Sequence, residues 1–186
     1  EGWFCPSITS EEEWKKTTMA MSNGKVVNFF TGSLVIDGQN QPSQSLTLKR
    51  GVARFDLNVD VAGSAAIESL TLRNVAQSGY LFAQGEVAAS LADVERNDVT
   101  AHFDTALSAS TPGVLYVYEQ ENAGIEVSIE AVIDGQHKVL TKTLEGNLKR
   151  NTIYTVTVRK NAIDIVVKVD IDDWEPGEDT EIIPQL

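Results

Sequence analysis

The residues best suited to catalysis are two histidines and one cysteine, and they lie far apart in the chain. His102 lies in the strand-like run 100–104. His137 follows the turn Asp134-Gly135, and Cys5 lies near the first residue. A histidine that acts as a general base must reach its partner within hydrogen-bond distance. The sequence also has no nucleophile elbow, phosphate-binding loop or zinc-ligand spacing. We therefore predict no catalytic residue, no metal site, no cofactor and no enzymatic activity.

Carboxylates are the most abundant potential ligands, because 27 acidic residues outnumber 15 Lys and Arg residues. Seven of them are concentrated after residue 169: Asp170, Asp172, Asp173, Glu175, Glu178, Asp179 and Glu181. Clustered carboxylates suit Ca²⁺, but their spacing does not fit an EF-hand loop and Pro176-Gly177 interrupts them. We interpret the segment from about residue 172 as a solvated acidic tail. A hydrolase with two facing carboxylates is the least favoured functional hypothesis.

Aromatic side chains are the other candidates for ligand contacts, because exposed rings stack on sugars and peptides. The candidates of this type are Trp3, Tyr80, Tyr116 and Tyr118. Burial in a core is the favoured role for Tyr116 or Tyr118, and also for Trp174 at the end of a strand pattern. Cys5 is interpreted as a free thiol near a terminus rather than a lipid attachment site.

The composition predicts a globular protein without affinity for polyanions. Hydrophobic residues make up 42% and charged residues 23% of the chain, so a core can form. The formal net charge of −12 disfavours binding to nucleic acid and to anionic lipid. No apolar run approaches the roughly 20 residues that a membrane-spanning helix needs.

The clearest structural pattern is a hairpin at residues 148–174. Residues 151–160 are mostly β-branched or aromatic, which favours a strand. From 163 to 171 apolar residues occupy alternate positions, which indicates a second strand with one apolar face. We expect the strands 125–133 and 138–144 to cover that face.

The rest of the chain also reads as short strands separated by turns. Strand patterns occupy residues 25–30, 33–36, 45–49, 52–61, 67–74, 80–82 and 114–119. The capping pair Ser10 and Glu13 predicts a helix that ends at Ser22-Asn23-Gly24. A weaker helical pattern covers 86–94. About ten strands at intervals of roughly ten residues predict an all-β sandwich.

Unpaired edges of such a sandwich can accept a strand from another chain. The segment 178–186 contains Ile182 and Ile183 before Pro184, and is a candidate donor strand. Arg54, Asp56 and Asn58 form the polar face of the strand 52–61, and we expect them to be structural.

Four segments, in this order, resemble segments of the Bacteroidales fimbrillins, the type V pilins and their accessory subunits. They are residues 19–23, 46–57, 115–119, and 148–154 together with 169–174. The resemblance covers roughly residues 19–175. It implies two transthyretin-like sandwich domains, at 1–78 (partial or minimal) and 79–186. It also implies a lipoprotein precursor on the outer surface of a Gram-negative bacterium.

The same resemblance implies a function in strand-mediated assembly with other fimbrial subunits. The chain departs from the family pattern because only about twenty residues precede the segment 19–23, and twelve follow Trp174. A stalk, tip or anchor role therefore stays open. The alternative hypothesis is a surface module that binds carbohydrate or a host protein through Trp3 and Tyr80.

Overall fold

The computed structural model describes residues 10–34, 45–85 and 88–168. These ranges contain the helix α1 (Glu11–Lys15) and twelve strands. The first six strands are β1 (Thr18–Ala20), β2 (Phe30–Thr31), β3 (Lys49–Arg50), β4 (Val52–Val59), β5 (Ala65–Ala76) and β6 (Ser78–Tyr80). The others are β7 (Arg96–Leu107), β8 (Thr111–Tyr118), β9 (Glu126–Ile133), β10 (Gln136–Thr143), β11 (Ile153–Val158) and β12 (Ile163–Lys168). No helix in these ranges is long and apolar enough to cross a membrane.

Eight strands form two four-stranded sheets that enclose one core. Sheet I has the order β10-β9-β5-β7, and sheet II has the order β12-β11-β4-β8. Neighbours are antiparallel, except for β4 and β11, which run parallel. Buried apolar residues from both sheets form a single cluster between them. The predicted all-β sandwich is confirmed.

Alternating apolar residues explain which face of each strand is buried. Phe55 and Leu57 of β4 are 0% and 2% exposed, and Leu70 and Leu72 of β5 are fully buried, as predicted. Successive side chains of a strand point to opposite faces, so the intervening polar residues face outward. Between β9 and β10, Asp134 and Gly135 have φ angles of 50° and 77°, the geometry of a tight hairpin turn.

The helix near the N-terminus is shorter than its sequence predicts. Ser10 caps α1 and its Oγ accepts the Glu13 N–H at 3.2 Å, as expected from the capping pair. The helix then ends at Lys15, and β1 follows and pairs with β6. The predicted helix end at Ser22-Asn23-Gly24 is instead a tight turn within a β-bridge. Pairing with β6 outweighs the local preference, as tertiary contacts often do.

Several other boundaries also differ from the sequence-based prediction. The predicted strands 25–30 and 45–49 are reduced to the two-residue strands β2 and β3. No helix forms at residues 88–94, the described part of the predicted helix 86–94. The predicted strand 114–119 begins earlier, at Thr111, because Pro112 and Gly113 form an irregularity within β8.

The hairpin β11–β12 is present and has the predicted cover. β12 of sheet II contacts β10 of sheet I, so the two hairpins face each other. Ile163 is 3% exposed, and Ile165 packs against the core. The part of the predicted second strand beyond residue 168, together with Trp174, lies outside the described residues.

The predicted boundary at residue 78, between domains 1–78 and 79–186, falls between strands that pair with each other in the described residues. β4 pairs with β8 and β11, and β5 pairs with β7 and β9. Strands from both sides of residue 78 therefore complete the same two sheets. The physical reason is that β4 and β5 satisfy their backbone hydrogen bonds only through these later strands.

The segment before β4 packs against the outer face of sheet II. A Cβ atom on Gly51 would overlap the ring of Phe29, so glycine allows this ring to lie directly against the backbone. Phe29 also lies 6.3 Å from the ring of Tyr118, centroid to centroid. The segment around Phe29 is thus fixed on the sheet next to β8.

Candidate functional site

A groove between the edge strands β7 and β8 is the candidate functional site. β7 ends sheet I and β8 ends sheet II, and the two lie in contact on the same side of the sandwich. Each has only one partner strand within the described ranges, β5 for β7 and β4 for β8. The groove between them has a volume of about 600 Å³. Its two longer walls are therefore sheet edges.

The floor of the groove is apolar and its rim is polar. Val99 of β7 and Leu115 of β8 are each 6% exposed, and Ala101 and Phe103 pack beside them. The alternate residues of β7, including His102, are exposed. This alternation matches the pattern of an extended peptide, whose side chains also point alternately inward and outward.

The third wall is the segment 24–28, which the hydroxyl of Tyr118 holds in place. This hydroxyl accepts the Val27 N–H at 2.9 Å and donates to the Ala20 carbonyl oxygen at 3.3 Å. Lys25 and Asn28 of this segment line the groove. The groove therefore depends on a contact between the N-terminal segment and the last residue of β8.

We expect stability to fall at alkaline pH because two tyrosines are buried. Desolvation raises the pKa of both Tyr118 and Tyr154 above the ordinary value of 10.0. The unfolded chain then ionises first, so stability present below pH 10 is lost as pH rises through the folded-state pKa. Each tyrosine contributes a slope of up to about 1.4 kcal/mol per pH unit.

Denaturant titrations from pH 8 to 11.5 would measure this slope. The variants Tyr118→Phe and Tyr154→Phe should each make the alkaline loss shallower, even though each also loses hydrogen bonds at neutral pH. An unchanged slope in both variants would show that the two phenols are not responsible.

A β-bulge shapes the β8 side of the groove. Phe55 pairs with Leu115, but Leu57 pairs with Thr111, so β8 has extra residues opposite Asp56. The Asp56 carboxylate accepts the Gly113 N–H at 2.7 Å. Gly113 has φ +64°, a conformation that favours glycine. The bulge bends β8 and interrupts its edge, as bulges commonly do.

The predicted polar face of β4 is a hydrogen-bonded network on the outside of sheet II. Arg54 donates two hydrogen bonds to Asp56, at 2.6 and 2.8 Å. Asn58 donates to Thr157 at 3.2 Å and accepts the Ser110 hydroxyl at 2.7 Å. These side chains hold β4, β11 and the start of β8 together, so they position one wall of the groove.

The aromatic residues that the sequence offers as ligand contacts do not form one surface. Tyr118 is 1% exposed, and its burial agrees with the favoured prediction. Tyr116 is half-buried and lines the groove beside Gly113. Tyr80 is half-buried at the end of β6. Trp3 lies outside the described residues, as do the donor residues Ile182 and Ile183, Cys5 and the acidic tail.

The two histidines lie on opposite edges of the sandwich, as exposed residues. His102 lies on β7, and His137 lies on β10 with its side chain 78% exposed, 3.7 Å from Glu68. They share no site. In the parts of the chain that the structure describes, no three His, Cys, Asp or Glu residues lie close enough to hold a metal ion.

Sequence reasoning missed the importance of β7. Its groove-facing residues are Val99, Ala101 and Phe103, which alternate with polar residues over residues 98–104. This alternation is a usable signal for a strand. Its position at an edge depends on pairing with β5, which is not visible in the local sequence.

Comparison with known proteins supports the fold. A family model described as a bacterial Ig-like domain matches residues 84–172, just under half of the chain. A protein of Bacteroides eggerthii, provisionally assigned to cell adhesion, superposes with a TM-score of 0.58 at 11% identity, covering 87% of this chain and 71% of that one. At this identity the similarity shows a shared fold. No curated protein sequence matches the chain significantly.

Two further solved structures have lower TM-scores. A protein of Parabacteroides distasonis, also provisionally assigned to cell adhesion, has a TM-score of 0.47 at 20% identity, covering 65% of this chain and 52% of that one. The tip fimbrial protein Mfa3 of Porphyromonas gingivalis has a TM-score of 0.41 at 16% identity, covering 65% of this chain and 51% of that one. The chain thus spans about half the length of these two proteins.

Proposed function

We propose that the chain is an adhesive or structural subunit of a bacterial surface fimbria. In this proposal a β-strand from another subunit binds in the groove between β7 and β8. The observation that carries the proposal is the apolar floor of a groove whose two walls are sheet edges. A strand bound there would pair its backbone with an edge and bury alternate side chains.

β7 is the better edge for such pairing. It is twelve residues long, whereas the bulge at Pro112-Gly113 interrupts β8. The groove-facing side chains Val99, Ala101 and Phe103 come from successive inward positions of β7. They offer apolar contacts at the two-residue spacing that a partner strand presents.

The segment 175–186 is the donor that we propose to test. It carries Ile182 and Ile183, one of which can enter the groove because neighbouring side chains of a strand point to opposite faces, with four carboxylates before them in the same segment. Lys25 lies on the groove and complements this charge. A strand of another subunit with the same pattern would bind in the same way.

The known proteins with this architecture support a surface role. The protein of Bacteroides eggerthii that shares the fold is provisionally assigned to cell adhesion. The resemblance to fimbrillins predicts the same location, the surface of a Gram-negative bacterium. An outer-membrane anchor, a lipoprotein precursor and exchange of strands between subunits belong to this proposal.

The test is a binding titration with a fluorescent peptide of residues 175–186. We expect saturable binding, and a scrambled peptide of the same composition should bind at least about tenfold more weakly. Concentrated protein should also form higher oligomers in size-exclusion chromatography. Absence of both peptide binding and self-association would overturn strand addition.

A matched pair of histidine variants identifies the edge that is used. His102→Glu places a negative charge on β7, and His137→Glu places the same charge on β10 at the opposite side of the sandwich. Both side chains are exposed, so both variants should fold. We expect only His102→Glu to weaken binding of the acidic peptide 175–186. Equal weakening by both would indicate general repulsion and contradict a specific groove.

A further inference from the structure

The side of the sandwich opposite the groove also has two sheet edges. β10 ends sheet I and β12 ends sheet II there, and the two strands contact each other. Each has one partner strand within the described ranges, β9 for β10 and β11 for β12. We call this side the β10–β12 seam. An edge of this kind can pair with a strand of another chain unless a structural feature prevents it.

The inward positions of β10 differ in character from those of β7. Leu140 of β10 is 8% exposed and belongs to the core. Side chains two residues apart lie on the same face of a strand, so Lys138 and Lys142 share the inward face with Leu140. The three groove-facing side chains of β7 are all apolar. The two sides of the sandwich therefore offer different surfaces to an added strand.

Lys138 spans the seam at the turn between β11 and β12. Its Nζ donates to the Lys160 carbonyl oxygen at 2.9 Å and to Asn161 Oδ1 at 2.7 Å. Both acceptors lie in the short connection from β11 to β12. The ammonium group thus joins the edge of sheet I to the edge of sheet II.

Lys142 makes a second link, four residues further along β10. Its Nζ lies 3.4 Å from Asp164 Oδ1 of β12, and Arg159 donates to Oδ2 of the same carboxylate at 3.0 Å. Hydrogen bonds from Arg159 and Lys142 lower the pKa of Asp164, so this carboxylate is ionised at neutral pH. Exposed ion pairs of this kind add little to stability, which leaves another role for the two lysines.

Only a small cleft remains at the end of the seam beyond Lys142. It has a volume of about 250 Å³, against about 600 Å³ for the groove. Ile165 and Val167 of β12 line it, together with Lys142 and Glu145. A strand that enters this cleft meets the Lys142 ammonium before it can pair along the length of β10.

Burial of two ammonium groups makes this edge unfavourable for a partner strand. Pairing along β10 places the inward side chains of the added strand beside Lys138 and Lys142, because same-face residues of neighbouring strands contact each other. An apolar side chain there removes water from the ammonium groups without offering a hydrogen-bond acceptor. The same strand at β7 buries its side chains against apolar residues. Inward-pointing charges are one of the means by which sheet proteins prevent edge pairing.

We propose that Lys138 and Lys142 close the β10–β12 seam to strand addition and restrict it to the β7–β8 groove. Each subunit then accepts one donor strand on one side only, so subunits add in a line without lateral pairing of their other edges. The biological role of this restriction rests on the proposed strand addition. The protection of the seam is measurable whether or not the groove binds a peptide.

The test replaces both lysines in the variant Lys138→Val/Lys142→Val and measures association by sedimentation velocity. We expect this variant to self-associate at a concentration at least about tenfold lower than the unsubstituted protein. Amide hydrogen exchange should slow in β10 or β12 of the associated form, because a paired edge protects its N–H groups. A folded variant that associates no more readily than the unsubstituted protein would overturn the proposal.

Matched variants separate edge pairing from a change in total charge. Lys16→Val/Lys149→Val removes two exposed lysines elsewhere and should associate as the unsubstituted protein does. Equal association of this control and of the seam variant would contradict the proposal. Lys138→Gln/Lys142→Gln removes the charges without adding apolar surface and should also associate more readily. It supplies the same test if the valine variant does not fold.

Two further substitutions in the valine variant locate the new contact. His137→Glu places a carboxylate on β10 and should reverse the association, whereas His102→Glu on β7 should not. Reversal by His102→Glu alone would place the contact in the groove and contradict a protected seam. If the peptide 175–186 does not bind but the valine variant associates through β10, the groove is rejected and the protection of the seam is supported.

Discussion

Replacing Glu119 by alanine is expected to destabilise the protein by about 3–5 kcal/mol, because it leaves the Arg150 guanidinium buried without its counter-charge. The two side chains are 13% and 10% exposed, and their Oε2 and Nε atoms are 2.7 Å apart. Urea denaturation followed by circular dichroism measures the loss. A cost below about 1 kcal/mol would show that water compensates the charge.

The matched control is Glu126→Ala. Glu126 pairs with Arg73 at 2.9 Å, but these side chains are 34% and 50% exposed. An exposed pair of this kind contributes about 0–1 kcal/mol. The double variant Glu119→Leu/Arg150→Met removes both charges together and should recover part of the stability that Glu119→Ala loses.

Loss of this pair should also have a local effect that a general loss of stability would not produce. Arg150 bonds Thr31, Tyr80 and Leu81, so Glu119→Ala should increase amide hydrogen exchange in β2 and β6 more than in β9. Uniform acceleration of exchange in all three strands would indicate global destabilisation alone. The same experiment therefore tests whether the pair fixes β2 and β6 to the sandwich.

The strands that the sequence predicts best are those whose apolar residues alternate cleanly. β4, β5 and β9 are examples, and the turn Asp134-Gly135 locates the hairpin to β10. In each case the local pattern and the final burial agree, since one face of the strand enters the core. The hairpin β11–β12 is predictable for the same reason, and so is the cap of α1 by Ser10.

The parts that the sequence does not predict depend on contacts between distant residues. β1 forms because it pairs with β6, about sixty residues later, although its residues are compatible with a helix. The domain boundary predicted at residue 78 also reflects local sequence alone, because the pairing of β4 and β5 with later strands leaves no local signal. The parallel pairing of β4 with β11 joins residues almost one hundred positions apart, and no local pattern records it.

The candidate site is only partly predictable. The sequence favours strand addition at a sheet edge, but it does not identify which strand forms that edge. Both sheets end at β7 and β8 because β5 and β4 have their other sides occupied by β9 and β11.

Replacing Phe55 by alanine is expected to cost about 3–5 kcal/mol, the usual range for removal of a buried aromatic ring. Phe55 is fully buried and stacks on Tyr154, with ring centroids 5.1 Å apart and planes at 17°. Tyr154 is held in turn by its hydroxyl, which donates to Asn147 and accepts from Lys149. Because Tyr154 cannot easily move into the space left by Phe55, a cavity should remain. Phe30→Ala is the control, since Phe30 is 53% exposed and should cost much less.

The same pair tests whether β4 and β11 belong to one folding unit. A double-mutant cycle with Phe55→Ala and Tyr154→Ala should give a coupling of about 0.5–1.5 kcal/mol, as expected for rings in direct contact. All variants should unfold in a single transition, because the two rings lie in one core between sheets I and II. Two separate transitions, with Phe55→Ala shifting only one of them and no coupling to Tyr154, would restore the division at residue 78. The energetic coupling across that position is therefore the most direct measure of how this chain is organised.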